Sequence, residues 1–284
     1  MSDDHLVALD TDEWRVTAAP GHGGTLIDIR PAGVDANLLW QRAGESPRRV
    51  QGELGEPGPA SISTFDQGLL IGGWFVMFPT AGQPGDDPAE PTWQHGWAPR
   101  RPWSVTMRRD AAFAMSLTYG DGRRCIRLRR VVSIRRSALI VSTLATHLGG
   151  APLRYSAGEH PCLDRALFAG GTLEARNRDA PVIAVPIEPE PDGLARHRVF
   201  EAARRTVLIT APLLGGSLEI TSDLPYAVLW ERRSAAAGMD VIAWEPASAP
   251  GLGWSEACLA DAVRVLSAGE RTAWRTTLRW VRDR

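Results

Sequence analysis

The stretch from Gly72 to Trp103 reads GGWFVMFPTAGQPGDDPAEPTWQHGWAPRRPW, and it carries much of the information about the fold. An apolar run from Trp74 to Phe78 stops at a proline, a pattern typical of a buried β-strand that ends there. A loop rich in glycine, proline and acidic residues leads to His95, which stands between Trp93 and Trp97. A histidine in such surroundings is commonly a packed structural residue. It indicates a functional site if the rest of the chain supplies chemical partners.

Composition excludes several classes of function. The chain has 284 residues, 44% of them hydrophobic, and a formal net charge of −1. These values predict a sizeable core and give no reason to expect nucleic acid or an anionic membrane as a partner. All 32 basic residues are arginine, which excludes Schiff-base catalysis and a phosphate-loop lysine. The cysteines Cys125, Cys162 and Cys258 are far apart and show no metal or disulfide spacing, so we expect buried structural thiols.

Targeting signals are not evident in the sequence. It contains no run of about 18 apolar residues and no charged-then-apolar leader, so we expect a soluble cytoplasmic protein without membrane contact. The oligomeric state does not follow from the sequence, and we expect a monomer or a homodimer.

The hydrophobic pattern predicts an all-β protein. Short alternating segments such as Thr25 to Ile29, Phe113 to Leu117 and Trp274 to Trp280 recur along the chain. Turn residues separate them about every 8–12 residues, which is typical of a β-sandwich or barrel. No break in this pattern marks a boundary, so residues 1–284 are interpreted as a single domain.

Several local expectations follow from the same pattern. Met1 to Leu9 are expected to be a frayed end, and Asn37 to Trp40 a short strand. A slip of phase between Val131 and Ile134 predicts a β-bulge. Helix signals are weak, and Glu256 to Val265 is the one short helix expected.

Three side chains that can transfer protons each stand directly before a glycine or a proline, residues that commonly interrupt β-strands. They occur in the pairs His95-Gly96, His160-Pro161 and Glu245-Pro246. We expect each to end a strand and to point into a cleft lined by loops. Two imidazoles and a carboxylate suffice for acid–base chemistry near neutral pH, and the same set can also hold a metal ion such as zinc. Taken singly, His95 and His160 can equally be structural or turn residues.

In this order along the chain, the motifs resemble the galactose mutarotase-like superfamily, which contains aldose 1-epimerases and hexose-phosphate mutarotases. The resemblance extends over nearly the whole chain. It rests on the segments Gly23 to Leu26, Asn37 to Trp40, Gly72 to Pro79, Gln94 to Ala98 with Trp103, Gly158 to Pro161, Ile242 to Pro246 and Leu266 to Glu270.

The resemblance implies a large antiparallel β-sandwich with a sugar cleft and a mutarotase reaction that needs no metal or cofactor. Glu245 would be the base that takes the proton of the C1 hydroxyl, and His160 the acid that protonates the ring oxygen. His95 would form hydrogen bonds with the ring oxygen or nearby hydroxyls of a small-molecule sugar.

Further sugar-binding residues are expected around this set. Gln94, Trp74 and Arg100 belong to the stretch that opens this section, and Asp223 is the candidate for the substrate-binding aspartate of the superfamily.

The chain also departs from the pattern of the hexose-phosphate branch. Ile71 and Pro99 stand where that branch often has arginine, and Cys162 replaces an aromatic residue after the His-Pro pair. Three alternatives therefore stay open beside an aldose 1-epimerase. They are a hexose-6-phosphate mutarotase, a non-catalytic carbohydrate-binding domain, and a metal-dependent sugar isomerase that uses the same histidines.

Overall fold

The computed structural model describes residues 6–50, 55–85, 91–120, 122–176, 182–188, 192–193, 195–201 and 206–283. The α-helices are α1 (Ala60–Gly68) and α2 (Trp254–Leu259), and 3₁₀ turns lie at Ala98–Arg100, Arg165–Phe168 and Pro212–Leu214. The strands are β1 (Val7–Asp10), β2 (Trp14–Ala19), β3 (Thr25–Pro31), β4 (Trp74–Met77), β5 (Ser104–Arg109), β6 (Ala112–Tyr119), β7 (Ile126–Arg135), β8 (Ala138–His147), β9 (Leu153–Tyr155), β10 (Gly158–Asp164), β11 (Thr172–Arg176), β12 (Ile183–Pro186), β13 (Ala195–Phe200), β14 (Thr206–Ala211), β15 (Gly216–Ser222), β16 (Tyr226–Ser234), β17 (Met239–Ala247), β18 (Arg264–Leu266) and β19 (Arg271–Arg282).

Two large sheets pack against each other. The described residues form an eight-stranded sheet in the order β1-β2-β3-β4-β10-β17-β16-β13 and a nine-stranded sheet in the order β12-β11-β14-β15-β19-β8-β7-β6-β5. The ladders at the centre of each sheet are antiparallel. The predicted fold class, a large antiparallel β-sandwich, is confirmed.

Alternation along β4 separates two apolar regions. Trp74 and Phe78 belong to the core between the sheets, where the Phe78 ring stacks on Trp274 of β19 with centroids 6.3 Å apart. Phe75 and Met77 point the other way, into a second apolar cluster on the outer face of the eight-stranded sheet. Successive side chains of a strand point to opposite faces, so the neighbouring strands also present one face to the core and one to this outer cluster.

A buried ion pair ties the two sheets together inside the core. Glu159 Oε2 accepts hydrogen bonds from Arg130 Nη2 at 2.7 Å and from the Trp74 indole at 2.8 Å. Its Oε1 accepts from the Thr143 hydroxyl at 3.0 Å and from the Trp274 indole at 2.8 Å. Glu159 and Arg130 are both fully buried. Burial of two charges is tolerated only where such bonds replace the lost water.

The predicted bulge in β7 is absent, and Arg130 explains why the sequence pattern suggested one. β7 pairs with β6 and β8 without a register shift, so the expectation for Val131 to Ile134 is wrong. The inward positions of β7 include Arg130, and a charged residue in the inward phase imitates a slip of the hydrophobic pattern. The expected frayed end is also wrong for Val7 to Leu9, which belong to β1 and pair with β2. Met1 to His5 lie outside the described residues.

The segment from Asn37 to Trp40 is not a strand. It forms one isolated bridge, between Leu39 and Leu163. The Asn37 side chain accepts a hydrogen bond from the Ile29 amide at 3.0 Å and donates one to the Ile27 carbonyl at 2.9 Å. Its backbone also bonds to Ile29, Cys162 and Asp164, so the segment joins β3 and β10 without forming a regular ladder with either.

The helices differ from the expectation in number and place. α1 was not predicted, because only Ser61 and Phe65 of this helix are buried and its apolar pattern is weak. The predicted helix at Glu256 to Val265 is observed earlier and shorter, as α2. Neither helix, nor any other in the described residues, is long and apolar enough to cross a membrane.

The expectation of buried thiols is confirmed for one of the three cysteines. Cys162 is buried, whereas Cys125 is half-buried and Cys258 is exposed. All three are free thiols.

Candidate functional site

His160 and Glu245 face each other across neighbouring strands. β10 carries His160 and β17 carries Glu245, and the antiparallel register pairs Gly158 with Ala247. Two residues further along each strand, the same register puts His160 opposite Glu245. Cross-strand partners on one face of a sheet are in side-chain contact, so a local pairing brings together residues that are distant in sequence.

The two prolines interrupt the ladder but do not end the strands. β10 continues through Pro161 to Asp164, and β17 continues through Pro246 to Ala247. Pairing of these two strands resumes at Cys162. The prediction that each acid–base residue ends a strand is therefore wrong for this pair. Proline removes one donor and leaves the extended backbone intact.

His160 and Glu245 are in direct contact and buried. His160 Nε2 lies 3.3 Å from Glu245 Oε1, and the two side chains are 6% and 9% exposed. Burial raises the pKa of Glu245 to about 8. Burial also lowers the pKa of His160 to about 3, an effect that the residue's own backbone carbonyl partly offsets. Both shifts favour the uncharged form, as desolvation requires.

The His160 ring is held on several sides. Phe75 stacks on it with centroids 4.7 Å apart and an angle of 22° between the planes. Trp230 of β16 approaches its edge at 5.5 Å, and the Cys162 Sγ lies 3.3 Å from Nδ1. These contacts restrict the ring to one orientation, with Nε2 towards Glu245.

His95 reaches the same place from a loop and not from a strand end, which corrects the prediction. Its backbone has a φ of 59°, and its amide donates to the Gly82 carbonyl at 2.7 Å. At Gly96, a Cβ atom would lie 2.2 Å from the Phe78 carbonyl oxygen. The His-Gly pair therefore makes a tight turn against the end of β4, where a side chain at the second position does not fit.

The His95 ring is neutral and packed against the pair. It lies edge-on to Phe75 and to His160, with centroid distances of 5.3 Å and 5.2 Å. Its Nδ1 is 3.1 Å from Met77 Sδ, and its Nε2 is 3.3 Å from the Gln94 Nε2. Burial, with nearby positive groups, holds the pKa of His95 well below its ordinary value.

A cavity of about 310 Å³ opens in front of these groups. Its size is at the lower end of the range of about 300–1,000 Å³ that small-molecule sites occupy. The apolar part of its wall includes Trp230, Val228 and Met77. The polar part is formed by Gln94, His95, His160, Glu245, Asp66, Arg196, His197 and Arg232.

Gln94 connects the histidine loop to α1. Its amide nitrogen donates to Asp66 Oδ1 at 3.2 Å, and its Oε1 has no hydrogen-bond partner among the described residues. Burial raises the pKa of Asp66, against the opposing effect of Arg232. Gln94 thus brings a side-chain amide, which can donate and accept hydrogen bonds, to the cavity wall.

Paired charges lie at the edge of the cavity. Arg196 binds Glu231 through two hydrogen bonds of 2.6 Å and 3.1 Å, and Arg232 Nη1 lies 3.7 Å from Asp66 Oδ2. Trp230 and Arg232 share one face of β16, and the alternation of that strand could have identified them. Asp66 was missed because it lies on the helix that was not predicted.

Trp74 does not line the cavity, which corrects its assignment as a sugar-binding residue. It lies on the core face of β4, fully buried, with its indole bonded to Glu159. The alternation of β4 explains this position, because Phe75 and Met77 occupy the face towards the cavity.

Arg100 and Asp223 are also outside the cavity wall. Arg100 is fully buried behind the wall, where its Nη2 donates to the Ser61 carbonyl at 2.8 Å. Burial lowers its pKa to about 10, an effect that Asp66 opposes. Asp223 follows β15 on the way to β16 and accepts a hydrogen bond from the Arg275 amide at 2.7 Å. Both side chains therefore bind other parts of the protein.

The sequence left a metal site open as an alternative. In the part of the chain that the structure describes, no group of three or more His, Cys, Asp and Glu side chains has an arrangement that could hold a metal ion.

Comparison with known proteins gives structural neighbours but no sequence match. No protein-family model and no curated protein matches the chain. A protein from Escherichia coli K12, provisionally assigned as an aldose 1-epimerase, superposes with a TM-score of 0.68 at 15% identity over 98% of this chain and 99% of that one. A galactose mutarotase-like protein from Lactobacillus casei gives a TM-score of 0.69 at 13% identity, over 97% of this chain and 99% of its own length.

A protein from Synechocystis is also similar, with a TM-score of 0.71 at 16% identity over 100% of this chain and 99% of that one. At such identities the likeness concerns the fold. The strand order, the two-sheet core and these neighbours agree with the motifs in the sequence. The chain has the fold of the galactose mutarotase-like superfamily, as the sequence resemblance predicted.

Proposed function

We propose that this protein is an aldose 1-epimerase, which interconverts the α and β anomers of a sugar. The proposal rests on the contact of 3.3 Å between His160 Nε2 and Glu245 Oε1 beside a cavity of about 310 Å³. The two sugar oxygens that exchange protons, the C1 hydroxyl and the ring oxygen, are bonded to the same carbon. An acid and a base that lie side by side can therefore serve both oxygens of one substrate.

Ring opening starts with Glu245 as carboxylate and His160 as imidazolium. Glu245 takes the proton of the C1 hydroxyl, and the electron pair of that O–H bond forms the C1 carbonyl. The bond between C1 and the ring oxygen breaks, its electron pair stays on the ring oxygen, and His160 Nε2 protonates that oxygen. Rotation about C1–C2 exposes the other face of the aldehyde, and the reverse transfers close the ring as the other anomer.

The pKa shifts place the proton of this pair on Glu245 at rest, which is the form that closes the ring. Between the pKa of about 3 for His160 and that of about 8 for Glu245, one mobile proton belongs to the pair. Placed on His160 it gives the form that opens the ring, and placed on Glu245 it gives the form that closes it. The two forms have the same total charge, so the cycle needs no proton from solvent.

The other residues of the wall bind and orient the sugar in this proposal. The Gln94 side-chain amide binds a hydroxyl at the cavity wall, and His95 stays neutral beside the acid because its pKa is low. The Trp230 ring provides an apolar surface at the cavity, of the kind that packs against the C–H face of a sugar.

The test is the rate of exchange between α and β anomers, measured by NMR over a panel of aldoses. Glu245→Gln is expected to reduce the catalysed rate on the order of 10²–10⁴-fold, the usual loss when a general base is removed. Glu219→Gln is the control, since Glu219 lies on the other sheet, in β15. Wild-type rates equal to those of Glu245→Gln on every sugar would contradict the proposal. Saturable sugar binding without exchange would support a non-catalytic carbohydrate-binding domain.

A hexose-6-phosphate is the second candidate substrate. Arg196 and Arg232 line the cavity and favour an anionic group, although both are engaged with carboxylates. The panel therefore includes each hexose with and without its 6-phosphate. A preference for the phosphorylated sugar that is lost in Arg232→Gln would support this candidate, and equal rates would exclude it.

A further inference from the structure

A second cavity adjoins the one that contains His160 and Glu245. Its volume is about 740 Å³, against about 310 Å³ for the first. Ile62, Asp66 and Arg232 line both cavities, so the two meet at these side chains. We call them the first compartment, at the acid–base pair, and the second compartment, between α1 and the turn that joins β16 to β17.

The second compartment lies further along the same two strands. On the outer face of β17, Glu245 lines the first compartment and Met239 belongs to the wall of the second. On β16, Val228 pairs with Glu245, and Arg232 lies further along the strand in the direction of Met239. The six residues from Glu245 to Met239 span about 20 Å of extended strand. One pyranose ring is much shorter than this, so the two compartments together have the length for a second unit.

The wall of the second compartment combines apolar and neutral polar side chains. Ile62 and Met239 supply apolar surface. Ser63 and Gln67 are exposed side chains of α1 in the same wall, and both can donate and accept hydrogen bonds. Sites for small molecules commonly combine an apolar wall with a few polar groups that fix orientation. This lining suits a sugar, which has apolar C–H faces and hydroxyl groups.

The charged side chains favour a neutral occupant over a phosphate. Arg232 Nη1 lies 3.7 Å from Asp66 Oδ2, which offsets its charge. Arg42, the other arginine in the wall, donates from Nη2 to the Asp66 backbone carbonyl at 2.8 Å. A phosphate here would face the Asp66 carboxyl and would fill a small part of the space. A second sugar unit avoids both disadvantages.

We propose that the second compartment is a subsite for the second unit of a reducing disaccharide. The unit with the free C1 hydroxyl lies at His160 and Glu245, so this assignment rests on the proposed function. Asp66 and Arg232 then stand at the junction of the two units, where they bind hydroxyls next to the linkage. The linkage is not cleaved, and the reaction remains anomer exchange at the reducing end.

The first test is calorimetric titration with maltose, cellobiose, lactose and mannobiose, each compared with the monosaccharide of its reducing end. At least one disaccharide is expected to bind about tenfold or more tighter than its monosaccharide, the contribution of one or two further hydrogen bonds. No disaccharide that binds tighter than its monosaccharide would overturn the proposal.

A substitution in the turn between β16 and β17 locates the gain. Ala237 is exposed and lines the second compartment, so Ala237→Trp places an indole there and is expected to reduce the affinity ratio to about one. Ala235→Trp is the matched control, because Ala235 is exposed in the same turn and is not part of that wall. It is expected to keep the wild-type ratio. A ratio unaffected by Ala237→Trp would place the second unit elsewhere and overturn the proposal.

The second test is anomer exchange in the same proteins, measured by NMR as kcat/KM. The disaccharide that binds tighter is expected to exceed its monosaccharide about tenfold in the wild type and in Ala235→Trp, but not in Ala237→Trp. A hexose 6-phosphate that is preferred over its hexose, with the preference lost in Ala237→Trp, would overturn the proposal, since the compartment would then take the phosphate.

The two tests separate the second subsite from the proposed function. Tighter binding of a disaccharide that depends on Ala237, without exchange of any sugar, would refute the epimerase and leave the subsite as part of a binding site. Exchange with equal kcat/KM for every disaccharide and its monosaccharide would support the epimerase and refute the subsite.

Discussion

Two buried glutamates on adjacent strands have opposite environments. Glu159 of β10 points into the core between the sheets, and Glu245 of β17 points to the outer face. Glu159 accepts four hydrogen bonds, one of them from Arg130. In the described part of the chain, Glu245 makes its polar contact with His160 on the neighbouring strand. Similar burial thus gives an ion pair at one position and a carboxyl group with a raised pKa at the other.

The number of hydrogen-bond donors explains this difference. A carboxylate that receives several hydrogen bonds and a cation retains its charge in a dry environment, and its contribution is to hold the sheets in place. A carboxylate with few partners is destabilised by burial, so its proton affinity rises into the range in which it can accept and return protons. The following predictions test this contrast, from the largest expected effect to the smallest.

Removal of the Glu159 charge should have the largest effect on stability. Glu159→Gln leaves Arg130 buried without its counter-charge, and loss of one partner of a buried pair costs about 3–5 kcal/mol of unfolding free energy. Denaturant unfolding measures this change. The control Glu219→Gln breaks a partly exposed pair with Arg279, which lies at 3.2 Å, and should cost at most about 1 kcal/mol. Equal losses for the two variants would show that Arg130 does not depend on Glu159.

The Glu245 carboxyl should lower the free energy of unfolding at neutral and alkaline pH, whereas the Glu159 carboxylate raises it. Its pKa is about 8 in the folded protein, above the ordinary value of 4.5 that applies when the chain is unfolded. The unfolded chain therefore loses this proton first, and the fold loses stability as the pH rises from about 4.5 to about 8. Glu245→Gln removes this loss, so its advantage over the wild type should be absent near pH 4 and reach a few kcal/mol near pH 8.

Unfolding curves of the two proteins at pH 4, 6 and 8 measure that difference. A stability difference that does not change with pH would contradict the raised pKa of Glu245.

Trp74 and Trp230 test whether the core face and the cavity face of the eight-stranded sheet have separate roles. Trp74→Phe removes the indole donor from Glu159 and should cost about 1–3 kcal/mol of stability, since a buried acceptor loses a partner. It should leave the affinity for a bound sugar unchanged. Trp230→Phe should weaken sugar binding with less effect on stability, because Trp230 lines the cavity. Calorimetric titration with the best sugar of the panel separates the two, and weaker binding in Trp74→Phe alone would contradict the assignment of faces.

The smallest effect is expected at Asp223. Asp223→Ala removes one acceptor for the Arg275 amide in an exposed turn, and should cost about 0.5–1.5 kcal/mol. Anomer exchange should stay at the wild-type rate, measured by the same NMR assay. A loss of exchange at unchanged stability would return Asp223 to the list of sugar-binding candidates.

Strands were predicted well where the apolar pattern alternates, and less well where a buried polar residue breaks it. Arg130 produced a false bulge in β7, because a sequence pattern counts a charge as exposed. The short strand expected at Asn37 to Trp40 failed for a different reason, since residues 38–40 are buried but their backbone hydrogen bonds are divided between β3 and β10. α1 was missed because few of its residues face the core.

The structure brings some of the predicted site residues together and separates others. His160, Glu245, His95 and Gln94 all lie at one cavity. Trp74 and Arg100 are close to these residues in sequence but on the wrong side of a strand or behind the wall. Asp66 was missed because α1 was not predicted. Trp230, Arg196 and Arg232 were also missed, although the alternation of β16 could have identified Trp230 and Arg232.

The sequence by itself determined the fold class and the superfamily resemblance, and it singled out His160 and Glu245. Local alternation and short motifs determine these properties, because they depend on a residue and its chain neighbours. The tertiary structure alone decided which face each residue of β4, β10 and β17 presents, and hence that Glu159 is an ion-pair partner and Glu245 faces His160. Solvation and partner distance set the chemistry of a carboxyl group, and both depend on strands that meet only when the chain folds.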